Sequence, residues 1–186
     1  MSKIYNLFGG LFMLVLFACS GGKGKMMQAS DLNFQKPDKL SVFYFLSPEC
    51  PLCENYTKDI KDFYREFSAD SVEFYGVFPG KDFPEERIMR YFKEYDLPII
   101  PVLDVDFEMT QYFKAEITPE CVLVSSTGEI LYQGKFDNWL LALGRRKRTV
   151  DQFYLKDAIK ATLANKEILV KKTAPIGCFI EFKNSH

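Results

Sequence analysis

Histidine is nearly missing from these 186 residues: there is one, His186, and it is the last. A zinc centre built from cysteine and histidine needs four ligands. One Cys-x-x-Cys pair is present, with neither a second pair nor a His-x-x-x-His to complete it, so no metal site is expected. Charge of one sign is also lacking. The 24 Lys and Arg nearly balance 25 Asp and Glu, and a net charge of −1 provides no global field for nucleic acid. No segment repeats at a period of 20–50 residues and no low-complexity block occurs, which excludes solenoids and arrays. Long apolar runs are missing too. The stretch 7–17 is interrupted by Gly9-Gly10 and is too short for a comfortable membrane span. Nothing in the chain calls for a cofactor.

What is abundant is aromatic surface. Eighteen Phe and ten Tyr join the single Trp139 in a chain that is 47% hydrophobic, enough for one globular core and too little for two. The first residues stand apart from that core. Lys3 precedes the apolar stretch, which closes in Leu16-Phe17-Ala18-Cys19. That ending resembles a bacterial lipobox, in which a cysteine after a small residue is lipidated and becomes the new N-terminus; the competing reading is an ordinary secretory peptide cut nearby. Residues 1–19 are therefore expected to be a lipoprotein leader, 20–36 a flexible tether, 37–167 a folded domain and 168–186 a tail packing on it. Export places the remaining cysteines, Cys50, Cys53, Cys121 and Cys178, where disulfides persist. A Cys50–Cys53 bridge closes too small a loop to stabilise much. Cys121 can pair with Cys178, or Cys178 can attack Cys50 or Cys53; the spacing leaves these open.

The stretch that organises the rest is Ser47-Pro48-Glu49-Cys50-Pro51-Leu52-Cys53. Before it, residues 40–46 (LSVFYFL) read as a buried strand. After it, Tyr56, Ile60, Phe63, Tyr64 and Phe67 recur at helical spacing. Two cysteines thus fall at a strand-to-helix junction. Unpaired N–H groups and the helix dipole favour thiolate there, and cysteines so placed can have pKa values of about 3.5–7.5. Pro51 suits the first helical turn, where its missing N–H is no loss. A metal half-site or two structural cysteines are the alternative readings of such a pair.

Further along, residues 72–78 (VEFYGVF) read as a strand and 85–95 as an amphipathic helix. Residues 99–104 carry Pro101 after Pro98, and are expected to be a connector or an edge rather than a central strand. A brief helix is expected at 107–113. Thr118-Pro119 stands at the mouth of the apolar strand 120–124, where a cis bond is a candidate. A Thr127-Gly128 turn then predicts a hairpin. Thr149 and Gln152 fit a capping box ahead of a last helix.

Strand, Cys-x-x-Cys, helix, strand, helix, Thr-Pro, hairpin, helix is an order that resembles the thioredoxin-like superfamily. Within it the chain is most similar to redoxins related to alkyl-hydroperoxide-reductase and thiol-specific antioxidant (AhpC/TSA) proteins. The carrying residues are 45–51 (FLSPECP), 101–104 (PVLD), Thr118-Pro119-Glu120, 131–138 (LYQGKFDN) and Pro175-Ile176-Gly177-Cys178. The resemblance implies a three-layer α/β/α sandwich around a central mixed sheet, with Pro119 cis beside the dithiol. It implies Cys50 as nucleophile, Cys53 as resolving thiol, and Thr118, Pro119 and Pro51 as the surface that holds a substrate chain. Cys178 is an additional redox candidate. The chain departs from the family in places. Glu49 stands where thioredoxins carry tryptophan, and Tyr44 where many carry a buried carboxylate. The peroxiredoxin pattern Pro-x-x-x-Thr-x-x-Cys fails at Phe43 and survives only as Ser47, against peroxide reduction as the main activity. Copper delivery lacks both the spacing and an internal histidine.

The run Arg145-Arg146-Lys147-Arg148 reads as a solvated loop, with anionic headgroups or an acidic partner as the alternative. Trp139 is expected to pack, and Cys121 to be an inert core thiol. The expectation for the whole is a thiol–disulfide oxidoreductase lipid-anchored through Cys19 in the bacterial cell envelope and facing the periplasm. Its partners would be protein thiols and disulfides, with a reductase supplied with electrons as the preferred direction. The alternatives are a non-catalytic thioredoxin-like binding module and a weak thiol peroxidase.

Overall fold

The computed structural model describes residues 26–33 and 36–182. The leader and the lipidation candidate Cys19 lie outside them. A six-stranded sheet forms the middle layer, in the order β1-β4-β3-β2-β6-β7. Its strands are β1 (Met27–Gln28), β2 (Leu40–Phe45), β3 (Val72–Pro79), β4 (Ile100–Asp104), β6 (Glu120–Val124) and β7 (Ile130–Gly134). Strands β1 to β4 run parallel, while β6 and β7 pair antiparallel, so the sheet is mixed.

Helices α1 (Pro51–Phe67) and α2 (Glu85–Tyr95) connect β2 to β3 and β3 to β4. Two right-handed crossovers stepping the same way must lie on the same face. Their side chains Ile60, Ile88 and Phe92 accordingly share one core with Leu155 and Ile159 of α4 (Tyr154–Leu163). The short α3 (Glu108–Phe113) returns the chain across the opposite face, where Met109 and Phe113 pack with Ala29. Strand β2 shows why its run is unbroken rather than alternating. Val42 and Tyr44 enter the first core, Phe43 and Phe45 the second, because both faces are covered. This is the three-layer α/β/α architecture expected from the sequence.

Several expectations change. The stretch 20–36 was expected to be a tether, yet Met27 and Gln28 form the parallel edge strand β1 beside Val102 and Leu103, with Met26 and Ala29 buried. Lys36 and Lys39 both reach Glu73, at 2.5 and 2.6 Å. Residues 100–104 form a strand inside the sheet, not a connector. Proline is tolerated there because β1 covers only Val102 and Leu103, leaving Pro101 outside the second ladder. The capping box is not formed. Helix α4 starts at Tyr154 with no side-chain cap, and the N–H groups of Asp151 and Gln152 donate to Asn138 Oδ1 instead. The basic run is not a plain loop: Arg145 and Arg146 form β9 (Arg145–Arg146) against β8 (Leu140–Ala142), and Arg146 lies over the Trp139 ring.

The tail does return to the domain. Thr173 N–H donates to Gln133 O, and Gln133 N–H to Lys171 O. It ends in β10 (Cys178–Phe179), antiparallel to β5 (Ile117–Thr118). Leu169 and Phe179 nevertheless stay largely exposed.

Candidate active site

Cys50 is the N-cap of α1 and Pro51 occupies the first helical position. The carbonyl of Cys50 already accepts the N–H of Cys53 at 2.9 Å, so both cysteines belong to the first turn. The turn is held from outside by Arg87, whose guanidinium donates to Pro48 O at 3.1 Å. Cys50 lies under the loop between β5 and β6, where Thr118-Pro119 is cis. The carbonyl oxygen of Thr118 stands 3.3 Å from Cys50 Sγ.

The sulfur of Cys50 is bonded to Cys178, across a Cα–Cα distance of 6.1 Å. Of the pairings left open by the sequence, the structure thus joins the nucleophile candidate to the tail. Cys53 and Cys121 are free and buried. Burial pushes the Cys53 thiol up to about 12, although the Ser47 N–H, 3.4 Å from its sulfur, and the Thr118 side chain both act to lower it. Cys121 faces the first core beside Leu123, donates to Gly134 O at 3.1 Å, and has its thiol pushed well up by burial. The sequence-derived candidates Cys50, Cys53, Thr118, Pro119 and Cys178 therefore converge on one place, and Pro51 sits exposed at its rim.

Beside the disulfide is an open groove of about 450 Å³, lined by Ser47, Glu49, Asp82, Phe83, Thr118 and Phe179 among others. Glu49 is exposed there. Cys50 and Cys178 form part of its wall.

The roles of two residues named in the sequence were not legible there. Ser47 supplies the backbone donor to Cys53. Glu120, directly after Pro119, is only 3% exposed and accepts from Gln133 Nε2 at 2.9 Å. Burial raises its carboxyl to about 7. The signal for it was strand parity: Glu120 alternates with Cys121 and so shares a face with Val122 and Val124.

A family-level sequence match runs over residues 14–133 and identifies the AhpC/TSA family. The chain belongs to the AhpC/TSA family. The match ends at Gln133, so the tail with Cys178 lies beyond the part that defines membership. Among solved structures the chain is similar to an uncharacterized conserved protein from Geobacillus kaustophilus (TM-score 0.70, 20% identity, covering 85% of this chain and 83% of that one). It is similar to a thioredoxin-like protein solved in its oxidized form (TM-score 0.55, 17% identity, 73% and 86% covered). A third similar structure, from Chlorobium tepidum, is proposed to be the thiol:disulfide interchange protein DsbE (TM-score 0.52, 14% identity, 68% and 81% covered). These likenesses establish a thioredoxin-like fold for this AhpC/TSA member. No curated protein matches the chain.

Proposed function

We propose that the protein is an extracytoplasmic thiol–disulfide oxidoreductase, tethered to the membrane of a bacterial envelope through a lipid on Cys19 and acting on protein thiols and disulfides. The observation that carries this reading is the position of Cys50: helix N-terminus, cis-proline loop and open groove all meet at its sulfur. Once a reducing dithiol has opened the Cys50–Cys178 bond, itself becoming a disulfide, the Cys50 thiolate attacks a partner disulfide. The mixed disulfide forms as the partner's second sulfur leaves, and Cys53 then displaces the partner as a thiolate by bonding to Cys50. AhpC/TSA membership and the similarity to the DsbE-like structure support redox chemistry of this kind. Export rests on the leader-like residues 1–19; among the described residues no helix is long and apolar enough to cross a membrane.

The competing reading is a binding module in which the disulfide is a static staple. One observation favours it: Cys50 and Cys178 are 128 residues apart, and closing a loop of about 100 residues stabilises by about 4.7 kcal/mol in the chain-entropy account. Exchange kinetics separate the two. Under the oxidoreductase reading, Cys50→Ser abolishes exchange with glutathione disulfide. A chain left with Cys50 alone at the site, carrying Cys53→Ser and Cys178→Ser, retains envelope partners as mixed disulfides identifiable by mass spectrometry. Wild-type exchange rates in the Cys50→Ser variant would sink the proposal.

A further inference from the structure

Three cysteines and one disulfide meet at the head of α1. Cys50 holds Cys178, and Cys53 waits as a free thiol one turn deeper in the same helix. The segment that brings Cys178 is itself a strand laid on the domain. Cys178 pairs opposite Thr118 and Phe179 opposite Ile117, and the N–H of Ile180 donates to Glu116 O at 2.9 Å. The tail thus lays an extended chain on the strand before Pro119 with its cysteine bonded to Cys50, the same covalent link that a mixed disulfide with a partner makes.

We propose that Cys178 is a third redox residue of this site, and that the tail strand is the domain's own exchange partner: held on Cys50 in one disulfide isomer, and released when Cys53 takes its place. The inference rests on the oxidoreductase reading of Cys50. The chemistry needs nothing from outside. The Cys53 thiolate attacks Cys50 Sγ; the Cys50–Cys178 bond breaks as Cys50–Cys53 forms; Cys178 leaves as a thiolate and takes up the proton that Cys53 gave up. One disulfide and one thiol remain on each side of the step, so no electrons are gained or lost.

Release must break the packing of Ile176 and Ile180 on the two cores and the ring contact of Phe182 with Phe107, but the strand itself is lightly buried. Phe179 is 78% exposed and Cys178 half-buried, so β10 buries little apolar surface of its own. The firm attachment lies upstream. There the Thr173 hydroxyl accepts the Lys135 N–H at 2.9 Å and lies 2.7 Å from Tyr132 Oη. Detachment is therefore confined to the residues after Thr173. It frees the edge of β5 and widens the groove beside Cys50, so the tail gates the site that it also serves. Gly177 marks the fit as dedicated. A β-carbon there would meet the Thr118 carbonyl carbon at 2.7 Å, so a strand with a side chain at that position cannot lie as close as the tail does. The docked tail thus competes with partners for Cys50, and the Cys50–Cys53 isomer is the open form.

Peptide mapping after acid quench and alkylation tests this on the full chain, with hydrogen exchange at the Ile180 amide as a second reading. In the wild type both isomers, Cys50–Cys178 and Cys50–Cys53, are expected. In Cys178→Ser, Ile180 protection falls at least tenfold, and exchange with a reduced cysteine peptide, whose thiolate attacks the Cys50–Cys53 bond, rises about fivefold or more. A wild type that holds only Cys50–Cys178 from pH 6 to 9, with Ile180 equally protected in Cys178→Ser, would overturn the proposal. Failure of the underlying reading looks different. Loss of exchange with glutathione disulfide in every variant removes the oxidoreductase activity, while the isomer map still decides whether the tail is exchanged.

Discussion

Gly177 lies against the backbone of Thr118 so closely that a β-carbon would overlap the Thr118 carbonyl oxygen and touch Ile117 Cγ2 at 2.8 Å. Neither contact is with a flexible side-chain end that could swing away from both at once. Gly177→Ala is therefore expected to lift β10 from β5 while leaving the core untouched. The cost falls in the overpacking range of about 1–3 kcal/mol if the strand stays docked, and the strand can avoid that cost by leaving. The expected outcome is a fall in Ile180 amide protection together with a smaller share of the Cys50–Cys178 bridge, read by hydrogen exchange and peptide mapping. Unchanged protection would show that the backbone gives way instead.

Cys53 sets a pH dependence. Burial holds its thiol at about 12, so at neutral pH it carries its proton in the folded state. Only the thiolate attacks a disulfide. Its fraction, and with it the rate at which Cys53 displaces Cys178, should rise about tenfold per pH unit between pH 7 and 9. Linkage acts in a higher window. An unfolded thiol titrates near 8.5, so the folded state binds more protons between about 8.5 and 12, and stability falls as pH rises there. Timed alkylation of Cys178 at stepped pH measures the rate; a flat profile would mean that Cys53 is not the attacking group.

Glu120 adds a second loss of stability with rising pH, of the same sign, at lower pH. Its carboxyl is raised from 4.5 to about 7 by burial, which outweighs the hydrogen bond from Gln133 and the charge of Lys172. Between those two values the folded chain binds more protons than the unfolded one, so stability is full below about 4.5 and is lost as pH rises through 7. Glu120→Gln keeps an acceptor for Gln133 and removes the charge. It should flatten the urea-unfolding profile between pH 5 and 8 and raise stability at pH 8 by about 3–4 kcal/mol, an order-of-magnitude figure from that shift at about 1.4 kcal/mol per unit. Parallel profiles for the two proteins would refute it.

The parts of the fold written by local pattern were legible. The apolar run at 40–46, the helical spacing from Tyr56 to Phe67 and the Thr118-Pro119 junction placed β2, α1 and the loop above Cys50, because each depends on neighbours in sequence. What was not legible depended on distant chain. Met27 and Gln28 carry no strand pattern and become β1 only because β4 offers an open edge. Thr149 has the residues of a cap, but Asn138, eleven positions earlier, takes the backbone donors that a cap would use near it. Cys178 showed the same limit: its motif marked it as a redox candidate, but the choice between Cys50, Cys53 and Cys121 came from β10 lying on β5. The resemblance supplied roles for Cys50 and Cys53; it had no place for a strand that occupies the site from within.

Asp104 ties the second core to that loop. It is fully buried, and its carboxylate accepts the Met109 N–H at 3.1 Å, the Thr110 N–H at 2.8 Å and the Thr110 hydroxyl at 2.6 Å. Phe107, the residue before α3, is in the left-handed region at φ 59°, and no side-chain cap comes from it. Asp104 thus does the capping from the end of β4. Asp104→Ala would leave two buried N–H groups and a hydroxyl without their acceptor, at a cost of about 2–4 kcal/mol. Asp104→Asn is the sharper test. Both carboxylate oxygens accept from donors, so an amide must set its own NH₂ against one of them and should recover less than half of the loss. The effect should also reach the site. The last carbonyl of α3, Phe113 O, accepts Gln133 Nε2 at 2.8 Å, and Gln133 in turn holds Glu120 beside Pro119. Urea midpoints for the three proteins, with Glu120 titration followed by NMR in each, check both halves. If Asp104→Asn unfolds with the wild type, the carboxylate is not the cap; if Glu120 titrates unchanged in Asp104→Ala, α3 does not position the proline loop.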